Sequence, residues 1–247
     1  VTAQPGDNAH RIFESLNNTG LKLTQGDLLR NYIFMRLPGQ GERVYLAHWL
    51  PLQERLTADE LEMLFWLDLV QSDARAKQSN TYALQQARMD RLDSEDQIEA
   101  EVQRFARLGG LLQLILDPKR ETNPLVQARL TRLQMWGTTT VYPILLHLLD
   151  RRAEGTADDD DIIQALIHLE SFFVRRVISG KATKNLNRIL LGATPELRDR
   201  SPIAEALRDY LSTGRKDFAS DAEIRASVRT IPFYWSGKSQ QRKLILQ

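Results

Sequence analysis

Three times in its first hundred residues the chain sets a Thr or Ser three positions before an Asp, Glu or Gln: Thr24 with Asp27, Thr57 with Glu60, Ser94 with Gln97. In this capping-box pattern the hydroxyl takes one orphan backbone N–H of a helix start and the longer side chain takes another. Each pair is followed by apolar residues at helical spacing, which confines the chain to helices packed on helices. After Thr24 the apolar side runs Leu28, Leu29, Tyr32, Ile33. After Thr57 the segment LEMLFWLDLV is apolar nearly all round and predicts a central helix. After Ser94, the residues Ile98, Val102, Phe105, Leu108, Leu112 and Ile115 form one long inner stripe.

The rest of the chain continues in the same way. Ahead of Thr24, Ala9, Ile12, Phe13 and Leu16 predict a helix capped by Asp7 and stopped by Asn17, Asn18 and Gly20, so that residues 7–36 form a helical hairpin around a polar turn. Between Val44 and Leu56 a helix is expected with Val44, His48 or Trp49, Leu52 and Leu56 inward, and Pro51 should kink or shorten it. Residues 71–80 read as a loop and 81–92 as a shorter helix. Asn123-Pro124 starts another helix, running to about Met135, since Pro is tolerated in a first turn. The aspartates Asp158 to Asp161 sit where a macrodipole favours negative charge, ahead of a helix ended by Gly180. Its core stripe is expected to use Ile162 or Ile163, Leu166, Leu169 or Glu170, Phe173 and Val177. Short helices follow at 185–191 and 202–211, then an aromatic loop with Phe233, Tyr234 and Trp235. Only residues 1–4 read as a possible strand. The fold class expected is all-α, divided as residues 1–36, a helical domain over 37–223, and a C-terminal loop and short element over 224–247.

Composition narrows the chemistry. There are no cysteines and only four histidines, none at metal-ligand spacing, so neither thiolate chemistry nor a metal site within this chain is expected. No run of apolar residues is long enough for a membrane span, and no signal peptide is legible, which fits a cytoplasmic protein. No nucleophile, phosphate-loop or zinc-hydrolase motif occurs, and no catalytic residue is assigned. The net charge of +1 hides an uneven distribution. Between Glu170 and Glu196 there is no acid, while Arg175, Arg176, Lys181, Lys184 and Arg188 lie there, with Asn187 among them. Such a stretch suits phosphate, since guanidinium and ammonium groups pair with its oxygens; it equally suits a helix C-terminus that needs cations. Phe172, Phe173, Val174, Val177 and Ile178 would anchor the helix end while Arg175 and Arg176 project from it.

Three separated motifs carry a family resemblance. IFESLNNTGLKLTQGDLLRNYIFM resembles a segment of the GmrSD-type modification-dependent restriction endonucleases, and VYPILLHLL, then HLESFFVRR and TKNLNRIL, look like that family's later helical part in the same order. The resemblance implies a bacterial antiphage protein in which a ParB/sulfiredoxin-like nucleotide-binding domain and an HNH nuclease flank a helical region. It implies action on modified DNA, glucosylated hydroxymethylcytosine or phosphorothioate, and a nucleoside triphosphate and divalent metal for the full-length protein. The family's Asp-Gly-Gln-Gln-Arg motif and its HNH residues do not occur here, so neither hydrolysis nor cleavage falls to residues of this chain. It is expected to be part of a longer protein, with DNA and the flanking domains as partners, oligomers being possible. On this reading Asn17, Thr19, Gly20, Arg30 and Asn31 would line a nucleotide pocket. Arg175, Arg176, Lys181, Lys184, Asn187 and Arg188 would meet DNA phosphates or dock a neighbouring domain. The alternative is a helical spacer or protein-interaction module that touches no nucleic acid.

Overall fold

The computed structural model describes residues 23–246 apart from Thr183, Asp217, Phe233, Tyr234 and residues 236–238. The hairpin turn at Asn17 to Gly20 and the possible strand at residues 1–4 lie outside the described residues. Those described form an all-α protein, with no strand among them. No described helix is long and apolar enough to cross a membrane. The chain divides into two compact units, Val1–Gln113 and Leu114–Gln247. That boundary falls inside a continuous helix, a few residues after the pair Gly109-Gly110.

In the first unit, helices α1 (Gln25–Met35), α4 (Ala58–Val70) and α5 (Thr81–Met89) pack on one another. Two of the three expected capping boxes close fully: the Thr24 hydroxyl accepts from Asp27 N and the Thr57 hydroxyl from Glu60 N, with each acid reaching back to the cap. In the third, Gln97 N donates to Ser94 Oγ, but the Gln97 side chain accepts from the backbone of Asp93 rather than Ser94. The loop expected over 71–80 ends in a 3-10 turn, Gln78–Asn80, and α5 stops three residues before the expected Leu92.

Pro51 lies in the first turn of a short helix, the shortened form of the two outcomes expected of it. The chain runs from α2 (Gly41–Val44) through a π turn, Tyr45–Trp49, into α3 (Leu50–Arg55). A proline offers no N–H to the carbonyl four residues back and its ring crowds it, and the wider turn just before Pro51 absorbs both demands. The extra residue also sets the register. Val44 and Trp49, five apart, are both buried, and His48 is turned partly outward. Trp49 stacks on Phe65 with ring centroids 5.8 Å apart, and Phe65 meets Phe105 edge-on at 5.0 Å. Phe105 belongs to α6 (Glu95–Leu116), whose six stripe residues are all at most 2% exposed. Burial of each such side chain contributes roughly 1.5–3 kcal/mol, as an upper figure.

In the second unit the longest helix lying wholly within it is α9 (Asp159–Ile178), which packs against α7 (Pro124–Met135), α8 (Tyr142–Ala153) and α12 (Ile203–Ser212). Asn123 caps α7 by accepting from Leu125 N and Val126 N, with Pro124 in the first turn as its sequence predicts. Asp158 caps α9, and Gly180 follows it at φ +63°, a left-handed residue that only glycine adopts freely. Short helices α10 (Leu186–Leu191) and α11 (Ala193–Leu197) lead to α12, and α13 (Asp221–Thr230) and α14 (Ser239–Leu246) complete the unit. The helix α13 is absent from the sequence expectation, although Ser220 and Glu223 form a fourth capping box that signals it.

Candidate functional site

Two places bring the candidate residues together, one in each unit. In the first, α1 and α4 contribute their opening turns to a cavity of about 260 Å³ lined by Thr24, Asp27, Arg30, Trp49 and Thr57. Helix N-termini carry partial positive charge, and Arg30 adds a full one. The capping carboxylates oppose this. Asp27 already accepts from Thr24 and stands 3.5 Å from the Arg30 guanidinium. Arg30 Nε and the Trp49 indole nitrogen are both buried and have no hydrogen-bond partner among the described residues. Asn31 Oδ1 is likewise buried and unpartnered, but Asn31 is not among the cavity's walls. Of the residues expected to line a nucleotide pocket, Arg30 therefore faces this cavity, Asn31 is not among its walls, and Asn17, Thr19 and Gly20 lie outside the described residues.

In the second unit the acid-free stretch folds at the end of α9, and its cations divide into three kinds. Arg176 does not project, as its charge had suggested. It is 5% exposed, lies over the Phe172 ring at 5.2 Å, and donates to the carbonyls of Lys216 (2.8 Å) and Ala182. It takes the buried position expected of Val177, which is only half-buried. Phe172 and Phe173, both buried, supply the apolar floor that lets a guanidinium sit there, with carbonyls in place of water.

Arg175 and Lys181 are held by acids of the far segment. Arg175 donates to Ser171 Oγ (3.0 Å), Ala219 O (2.9 Å) and Asp221 Oδ1 (2.6 Å), and lies over the Phe218 ring at 5.5 Å. Lys181 Nζ lies 3.1 Å from Glu223 Oε1. The Glu223 carboxyl is held down at about 2 by the backbone N–H of Ser220 and by Lys181, and Asp221 is lowered by Arg175. Lys184 and Arg188 form the third kind: both are exposed, and neither pairs with an acid among the described residues. Asn187 is exposed beside them and accepts from Thr140 Oγ1 at 2.8 Å.

Two further ionisable centres are structural. Asp68, buried on α4, accepts from Gln85 (2.9 Å), Arg88 (2.6 Å) and Arg104 (2.5 Å), while Glu101 takes the other sides of both arginines. Burial alone would raise its pKa, but Arg104 and Arg88 outweigh that and hold it ionised. His147 lies within α8, 8% exposed, with Nε2 unpartnered among the described residues. Burial, then Arg151 and Arg198, push its pKa down to about 4, so it is neutral at pH 7. Among the described residues no group of three or more acidic, His or Cys side chains is placed to hold a metal ion.

Comparison of the chain with protein-family models, with curated proteins and with solved structures gives no match.

Proposed function

We propose that the chain is the helical carrier region of a bacterial, cytoplasmic, modification-dependent antiphage endonuclease, one that meets DNA phosphates at the end of α9 and positions domains that do the cutting. The observation that carries this reading is the pair Lys184 and Arg188, exposed and, among the described residues, unpaired with acids, at the exit of a stretch without any acid between Glu170 and Glu196. Supporting it are the three motifs in family order. Arg30 at the cavity in the first unit supports a nucleotide held there, its guanidinium set against phosphate charge. DNA phosphates need no base-specific geometry, only accessible cations with room for oxygen, and two such cations stand here.

The test is binding of a fluorescent duplex to the 247-residue chain, followed by anisotropy. Lys184→Ala with Arg188→Ala should weaken binding by roughly tenfold at low salt and flatten its salt dependence. Unchanged affinity with an unchanged salt slope would remove the DNA role. A second reading, a protein-interaction module, has one observation in its favour: Trp235, the last of three consecutive aromatics in the sequence, is 81% exposed. It predicts that the same double substitution leaves every binding property untouched.

A further inference from the structure

Helix α13 is fastened to the end of α9 in an unusual way. None of its residues is buried, and Val228 is 51% exposed. Its apolar purchase at one end is Ile231, half-buried, which approaches Gly180 so closely that a Cβ there would stand 3.3 Å from Ile231 Cδ1. At its other end Ile224 is half-buried as well, and beside it the fastening is charge: Asp221 on Arg175 at 2.6 Å and Glu223 on Lys181 at 3.1 Å. Both acids are more than half exposed, at 68% and 51%, whereas their cations are 26% and 20% exposed. Ion pairs with one partner in water contribute little to stability and are weakened by salt. The cations themselves are well anchored, because Arg176 between them is buried and Arg175 is also held by Ser171 and the Ala219 carbonyl. A rigid cationic platform is thus covered by an acidic helix start that follows a buried anchor, Ala219, and is held beyond it by exposed ion pairs and the half-buried Ile224.

A carboxylate and a phosphate offer cations the same ligand, a charged oxygen pair. We propose that α13 is an autoinhibitory latch: Asp221 and Glu223 occupy on Arg175 and Lys181 the places that two DNA phosphates take when the helix swings away. This rests on the DNA reading above and adds regulation to it. Lys184 and Arg188 make the first contact, and the latch sets whether two further cations join. Its release also leaves the stretch after Glu223, which contains no acid, free to follow the same strand with Arg225 and Arg229.

The test is Asp221→Asn with Glu223→Gln, which removes both charges while the amide of Gln keeps an acceptor for the Ser220 cap. A control, Asp160→Asn with Glu205→Gln, makes the same charge change at two exposed acids elsewhere in the unit. Amide hydrogen exchange over residues 221–230 and duplex affinity against salt are measured on the chain and both variants. The latch predicts exchange over 221–230 at least tenfold faster in the first variant alone. It also predicts affinity about tenfold above the control's, and a log–log salt slope steeper by about 2, one per added phosphate. Exchange and affinity equal to the control's would overturn the latch and leave the DNA reading standing. Failure of all three proteins to bind duplex at any salt would overturn the DNA reading, and the latch with it.

Discussion

The carboxylate of Asp161 on α9 accepts the backbone N–H groups of Ile203 and Ala204 on α12, each at 2.8 Å. Helix α12 begins after Pro202 and has no side-chain cap of its own. One helix therefore supplies the N-cap of another 42 residues further on, and fixes where they meet. The first-turn aspartates of α9 also divide their work: Asp159 binds Arg152 and Asn123, and Asp158 caps α9 itself.

Replacing Asp161 with Ala leaves two helix-start donors without their acceptor. Loss of a cap costs about 1–2 kcal/mol, and this one also joins two helices. The midpoint of urea unfolding should fall accordingly, whereas Asp160→Ala, an exposed neighbour without a described partner, should move it little.

Two adjacent glycines of α6 should behave oppositely. A Cβ on Gly109 would stand 2.2 Å from Leu52 Cδ1, and Leu52 is fully buried, so Gly109→Ala forces repacking and should destabilise by roughly 1–3 kcal/mol. A Cβ on Gly110 meets nothing within 4 Å, so Gly110→Ala should gain the helical preference of alanine, about 0.5–1 kcal/mol. Thermal or urea unfolding of the two variants reads the difference directly.

His147 predicts a pH dependence. Its folded pKa of about 4 lies below the ordinary value of 6.5, so the unfolded chain binds its proton first as pH falls. Its neutral burial is fully compatible with the fold above pH 6.5, and stability is lost between there and about pH 4. That shift corresponds to a loss of order 3 kcal/mol from this residue. His168 is shifted in the same direction by burial and Arg208, so His147→Leu should flatten most, but not all, of the slope. Unfolding midpoints taken every half pH unit in both proteins test this.

Much of this architecture was legible from local chemistry. The capping pairs at Thr24 and Thr57, the Asn123-Pro124 start and the stripe from Ile98 to Ile115 depend on neighbours in sequence, and the structure places them as those neighbours demand. What stayed hidden depends on residues far apart. Arg176 looks like a surface charge until Phe172, Ala182 and Lys216 converge on it. The π turn follows from Pro51, yet its effect on register shows only once Trp49 has a stacking partner in Phe65. The Ser220–Glu223 box was readable by the template that found the others, but a helix with no buried residue gives no apolar stripe to confirm it. The basic stretch was visible as composition. That two of its cations are covered by Asp221 and Glu223, and two are not, is a fact of tertiary structure alone.

The account stands or falls on how duplex affinity of the unaltered chain depends on salt. Two accessible cations, Lys184 and Arg188, predict saturable binding whose logarithm falls linearly with the logarithm of salt at a slope of about −2, reduced towards zero when both are replaced by Ala. A chain that shows no saturable binding at low salt, or binds with a slope that this double substitution does not change, would contradict it.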